Sequence, residues 1–93
     1  LSAEQALEWG LIYRVVDDAE LRDQAIALAR QLATQPTYGL GLIKRSLHAS
    51  LDNSFEQQLT LERDLQRLAG RSEDYREGVA AFMEKRTPQF KGY

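Results

Sequence analysis

The sequence predicts a mainly α-helical protein, four to five helices with one short strand, and three observations carry that prediction. Apolar residues recur at helical spacing over most of the chain. Most of these stretches open on a serine or an acidic residue suited to capping, and glycine or proline closes them. Only one short run, Leu11 to Val16, has the β-branched and aromatic character of a strand.

Taken in order, Ser2 with Gln5 three positions on has the spacing of a capping box, so a short helix is expected from Ala3 to Trp9. Gly10 follows as a left-handed stop, and Leu11-Ile12-Tyr13-Arg14-Val15-Val16 is the expected strand. Asp17-Asp18 then supplies an acidic N-cap to a second helix. Its Leu21, Ala25, Leu28, Ala29 and Leu32 form one apolar stripe that must be covered by something. Pro36 separates this from a helix over Thr37 to Ser50 with Leu40, Ile43 and Leu47 on one face. Gly39 and Gly41 lower its intrinsic helicity and offer close backbone packing.

After the Asp52-Asn53-Ser54 break, Phe55, Leu59, Leu61, Leu65 and Leu68 mark a charged helix that reaches Ala69 and closes at Gly70. Ser72-Glu73-Asp74 caps a last helix whose apolar members are Tyr75, Val79, Phe82 and Met83. Thr87-Pro88 stops it, because the residue before proline is pushed out of the α region, and Gln89 to Tyr93 is left as a tail. The short connections suit antiparallel neighbouring helices, and no repeat or long linker interrupts them.

Composition narrows the function. A chain of 93 residues with net charge −2 has no basic surplus with which to neutralise a phosphate backbone, so nucleic acid is not an expected partner. No apolar run approaches the ~18 residues of a membrane span, and the first residues have no signal-peptide pattern, so no membrane is expected and a cytoplasmic location is. There is no cysteine, hence no thiolate chemistry and no disulfide framework. The chain opens on Leu1 in mid-pattern, as a piece of something longer would, so its function is expected to belong to a larger parent.

Candidate chemistry is sparse. The one histidine, His48, has no nucleophile elbow around it and reads as a packed or surface imidazole. No ligand set points to a metal. Glu56, Glu62, Asp64 and Glu77 are carboxylates without a pattern that would make one a general base, while Asp64 with Arg67 and Glu73 with Arg76 are expected i, i+3 surface pairs. Gly39-Leu40-Gly41 lacks the spacing of a phosphate loop. More informative is Phe82-Met83-Glu84-Lys85-Arg86 with Phe90 and Lys91. Two adjacent cations among aromatic rings could hold a phosphate and stack a base, or could simply complement a helix C-terminus.

Three blocks give the chain a family likeness. They are Ser2 to Ile12 with Val15-Val16-Asp17-Asp18, the Leu32-Ala33…Pro36 junction leading to Ile43-Lys44, and Glu77-Gly78-Val79-Ala80-Ala81-Phe82-Met83-Glu84-Lys85-Arg86-Thr87-Pro88-Gln89-Phe90. In order and spacing they resemble the C-terminal part of the crotonase superfamily of enoyl-CoA hydratases and isomerases, over essentially all 93 residues. Thr37 to Lys44 and Leu61 to Ser72 are most similar to the branch acting in bacterial phenylacetate degradation.

This resemblance implies that residues 1–93 are the C-terminal helical trimerisation and lid region of a ClpP/crotonase-like α/β spiral fold whose catalytic core is absent from the chain. The parent would bind an acyl-CoA thioester and stabilise its enolate with two backbone N–H groups, which are preorganised where charge develops. In the family those donors and the catalytic carboxylates lie upstream, so no catalytic residue is carried over and this region alone is expected to be inactive. No cofactor is implied, CoA being part of the substrate. One binding position transfers: Lys85 of the "EKR" block is expected to approach the phosphate or adenine end of CoA, with Phe82 on the same helix. The resemblance also implies a homo-oligomer, a trimer or hexamer. The competing reading is a non-enzymatic helical module that binds a partner helix.

Overall fold

The computed structural model describes residues 1–93 and contains five helices: α1 (Ala3–Glu8), α2 (Leu21–Ala33), α3 (Thr37–Ala49), α4 (Phe55–Ala69) and α5 (Glu73–Glu84). The chain divides into two compact units, Leu1–Arg30 and Gln31–Tyr93, with the boundary inside the last turn of α2.

In the first unit the capping box forms as its spacing requires. Ser2 Oγ accepts the Gln5 N–H at 3.1 Å while Gln5 Oε1 accepts the Ser2 N–H at 3.0 Å. The helix then closes through Gly10 at φ 72°, whose N–H donates to the Leu7 carbonyl as the Leu11 N–H reaches back to Ala6 at 2.9 Å. The strand expected over Leu11 to Val16 does not form: the backbone bends through residues 11–13 and stays irregular to Asp17. A ladder needs a second strand, and five helices provide none. The aromatic and cationic members of the run find side chains instead, with the Arg14 guanidinium 5.4 Å above the Tyr13 ring and 3.3 Å from Gln24 Oε1.

The start of α2 also differs from expectation. It is the backbone carbonyl of Asp17, not a carboxylate of the Asp17-Asp18 pair, that accepts the N–H groups of Glu20 and Leu21, at 2.9 and 3.1 Å. The apolar stripe of α2 is present, yet no residue of this helix is buried.

The second unit is built on the α3–α4 hairpin. Leu42 and Leu65 are its buried leucines, and a side-chain amide ties the two helices together above them. Gln58 Nε2 donates to Ser46 Oγ at 2.9 Å, to the Ser46 carbonyl at 3.2 Å and to Glu62 Oε1 at 2.8 Å, while its carbonyl accepts from Asn53 Nδ2 at 3.0 Å. A second capping box, Ser54 with Gln57, sets where α4 begins. Gly39 and Gly41 do not mark the close packing expected of them: a Cβ at either would meet nothing within 4 Å. Most of the α4 stripe is outside, with Phe55 74% and Leu59 52% exposed, so the core of this chain covers little of its own apolar surface.

Candidate functional site

The residues singled out for binding sit where α5 ends and the tail turns back. Ser72 caps α5 by accepting the Tyr75 N–H at 3.0 Å, and Ala81 on its inner face is buried. Its outer face leaves Tyr75, Val79, Phe82 and Met83 exposed. The helix stops at Glu84, three residues before Thr87-Pro88, because Lys85 takes the left-handed conformation, φ 54° and ψ 40°. Its N–H donates to the Phe82 carbonyl at 3.3 Å and that of Arg86 to Ala81 at 3.0 Å, a Schellman turn with lysine where glycine is usual.

Two carboxylates of α5 then hold the tail. Asp74, only 3% exposed, accepts the N–H of Lys91 at 2.6 Å and that of Gly92 at 2.9 and 3.1 Å, and its own N–H donates to the Tyr93 carbonyl. Gly92 is required there twice over, by its φ of 85° and because a Cβ would lie 2.6 Å from Thr37 Oγ1. Glu77 takes a fork of bonds from Arg86, at 2.5 and 2.9 Å, and the Gln89 N–H at 2.8 Å. The Arg86 guanidinium, followed by the Gln89 N–H, pulls the Glu77 carboxyl from the ordinary 4.5 down to about 2. Glu77 and then Glu84, which accepts from Arg86 Nε, push the guanidinium further up.

Between α5, the start of α3 and the returning tail lies an apolar groove of about 410 Å³, lined among others by Gly39, Tyr75, Val79, Phe82 and Phe90. The Phe90 ring lies over Gly78, its Cε1 at ordinary contact distance from where a Cβ would be.

Of the two expected binding residues, Phe82 lines this groove and is 81% exposed, while Lys85 lies three residues on at the exposed turn. The structure separates the two adjacent cations. Arg86 is consumed by Glu77 and Glu84, whereas Lys85 has no carboxylate partner and keeps a free ammonium. Glu56 makes no side-chain hydrogen bond or ion pair, whereas the remaining carboxylates singled out have structural partners. Glu62 closes the Gln58 network, Asp64 pairs with Arg63 and Arg67, and Glu73 pairs with Arg76. His48 stands at an open groove beside Lys44 and Arg45.

Asp74 and Glu77 are the residues that sequence reading missed. Asp74 was expected as an N-terminal helix charge, but its partners lie 17 and 18 positions away, beyond any local pattern. The pairing of Glu77 with Arg86 spans nine positions, and its only sequence signal is that both fall in one recognisable block.

These features define a helical region closed by a polar latch that leaves the Lys85 ammonium and an apolar face open. Comparison with known proteins places it. The sequence profile of the enoyl-CoA hydratase/isomerase family matches residues 1–93, and the chain belongs to that family. It is 65% identical over 92 residues to the 1,2-epoxyphenylacetyl-CoA isomerase of Escherichia coli K12, covering 99% of this chain and 35% of that protein. It is 38% identical over 97 residues to a carnitinyl-CoA dehydratase of Salmonella arizonae, covering 37% of that protein. Among solved structures, an enoyl-CoA hydratase from Geobacillus kaustophilus superposes over the whole chain with a TM-score of 0.93 at 39% identity, using 36% of its own length. The chain thus spans about a third of the length of its relatives, and the helical segment expected from the sequence is the one they share. No helix is long and apolar enough to cross a membrane.

Proposed function

We propose that this chain is the C-terminal helical region of an acyl-CoA isomerase or hydratase, of the kind that isomerises epoxyphenylacetyl-CoA, and that it supplies oligomer contacts, a lid and one contact to CoA. The observation that carries the reading is the 65% identity to an epoxyphenylacetyl-CoA isomerase over nearly the whole chain. In this reading the chemistry is performed outside these residues, by backbone donors that stabilise an enolate and by carboxylates that move protons. The region's own contribution is binding. Lys85, free of carboxylates, serves as a point charge for a CoA phosphate, and the exposed ring of Phe82 offers a surface to the adenine. The exposed stripes of α2, α4 and α5 suit burial against further protein, as an oligomer of three or six subunits would provide.

Isothermal titration of the chain with CoA, beside dephospho-CoA and a Lys85→Ala variant, tests the binding role. Affinity that needs both the 3′-phosphate and Lys85 is expected. Equal binding of both ligands, or binding indifferent to Lys85, would overturn the phosphate contact and favour a helical module without a ligand role.

A further inference from the structure

Lys85 is the one residue other than glycine with positive φ in this chain. Its Schellman turn would form at least as readily with glycine, since a Cβ in the left-handed region crowds the following carbonyl. A side chain held in that conformation needs surroundings that over-determine it. They are present on its C-terminal side. Arg86, the next residue, is fixed through Nη1 and Nη2 to both oxygens of Glu77 and through Nε to Glu84. Glu77 Oε1 also accepts the N–H of Gln89, so the backbone on both sides of Thr87-Pro88 is tied to one carboxylate nearly two turns back along α5. The same ion pair takes Arg86, the cation adjacent in sequence, out of competition with Lys85 for an anion.

We propose that Glu77 is a positioning residue for Lys85. By clamping Arg86 and Gln89 it locks the left-handed turn and leaves the Lys85 ammonium unpaired, so that this turn meets a phosphate with a point charge and not with the bidentate grip of a free arginine. This rests on the reading that Lys85 meets a CoA phosphate, and the experiment separates the two ideas by using two readouts.

In the chain as it stands, the strong intraresidue HN–Hα NOE that a positive φ gives Lys85 and the amide exchange of Gln89 report the turn, while titrations with CoA and dephospho-CoA report the phosphate contact. Glu77→Gln is expected to weaken the Lys85 HN–Hα NOE, to speed exchange at Gln89, and to weaken CoA on the order of tenfold, with dephospho-CoA unchanged. Arg86→Lys, which keeps a cation opposite Glu77 with fewer bonds, should fall between wild type and Glu77→Gln. It also leaves α5 intact should Glu77→Gln reduce its helix content. Glu73→Gln, which breaks an exposed pair on the same helix, should alter neither readout.

An unchanged Lys85 HN–Hα NOE and Gln89 exchange in both Glu77→Gln and Arg86→Lys would overturn the positioning role, as would equal loss of CoA and dephospho-CoA. If CoA binding ignores Lys85 in the wild-type chain, the phosphate reading falls, and the NOE still decides whether Glu77 sets the turn.

Discussion

In the α3–α4 hairpin a neutral amide, Gln58, bridges two helices over buried leucines, whereas in the C-terminal latch two carboxylates, Asp74 and Glu77, gather backbone N–H groups and a guanidinium from a tail with no regular structure. The hairpin therefore rests on apolar burial, with its hydrogen bonds as a strap. The latch rests on charge-assisted hydrogen bonds, with Phe90 over Gly78 as its apolar contribution. A tail without a ladder or helix satisfies its backbone through such side chains or through water. The contrast predicts that the two parts fail under different perturbations.

The largest effect should come from Asp74→Ala. Removing a buried acceptor leaves the N–H groups of Lys91 and Gly92 without a partner, which costs on the order of 3 kcal/mol in the latch. Hydrogen exchange should show those amides losing protection while the α3 and α4 amides keep theirs. Equal loss in the hairpin would show that the two closures are not independent. Leu65→Ala is the converse, with an expected cost of about 2 kcal/mol, read by denaturant titration and by faster exchange in the hairpin rather than at Lys91.

Gly92→Ala should cost roughly 1 to 2 kcal/mol, because its φ of 85° disfavours any side chain and the new methyl would press on Thr37 Oγ1. Acid sharpens the same contrast. The Glu77 carboxyl is lower in the folded chain than in the unfolded one, so its stabilising contribution is complete above about 4.5 and is lost as pH falls toward about 2. Protection of the Gln89 amide, taken relative to its intrinsic exchange rate at each pH, should fall on acidification across that window in the wild type, and Glu77→Gln should abolish that fall.

The parts that were legible in the sequence share a short range. Ser2 with Gln5, Gly10 after the first helix and Ser72 ahead of the last act over two to four residues, and each is found in its expected role. The Leu11 to Val16 run misled because β propensity describes a residue that fits a pleated surface, and this chain offers no such surface. The latch was illegible for the opposite reason. Asp74 at the start of a helix already has a sufficient local explanation as a favourable charge, so nothing in its neighbourhood reports partners near Tyr93. Family resemblance singled out Lys85 and Phe82 as expected binding residues, but only the structure shows that Arg86 is occupied and Lys85 free.

The smallest effect has the most informative sign. Lys85→Gly relieves a left-handed side chain at a Schellman position and removes no ion pair, so it should stabilise the latch by about 1 kcal/mol or less. The same change deletes the one unpaired cation at the end of α5. A variant that melts higher yet loses its preference for CoA over dephospho-CoA would mean that the strain is retained for the side chain's charge, in line with the usual opposition of site function and stability. Thermal melts of Lys85→Gly and Lys85→Ala separate the two contributions. Both lose the charge, but only glycine relieves the backbone, so the glycine variant should melt above the alanine variant. If the two melt together, the turn is not strained at Lys85, and the lysine must be explained by its charge alone.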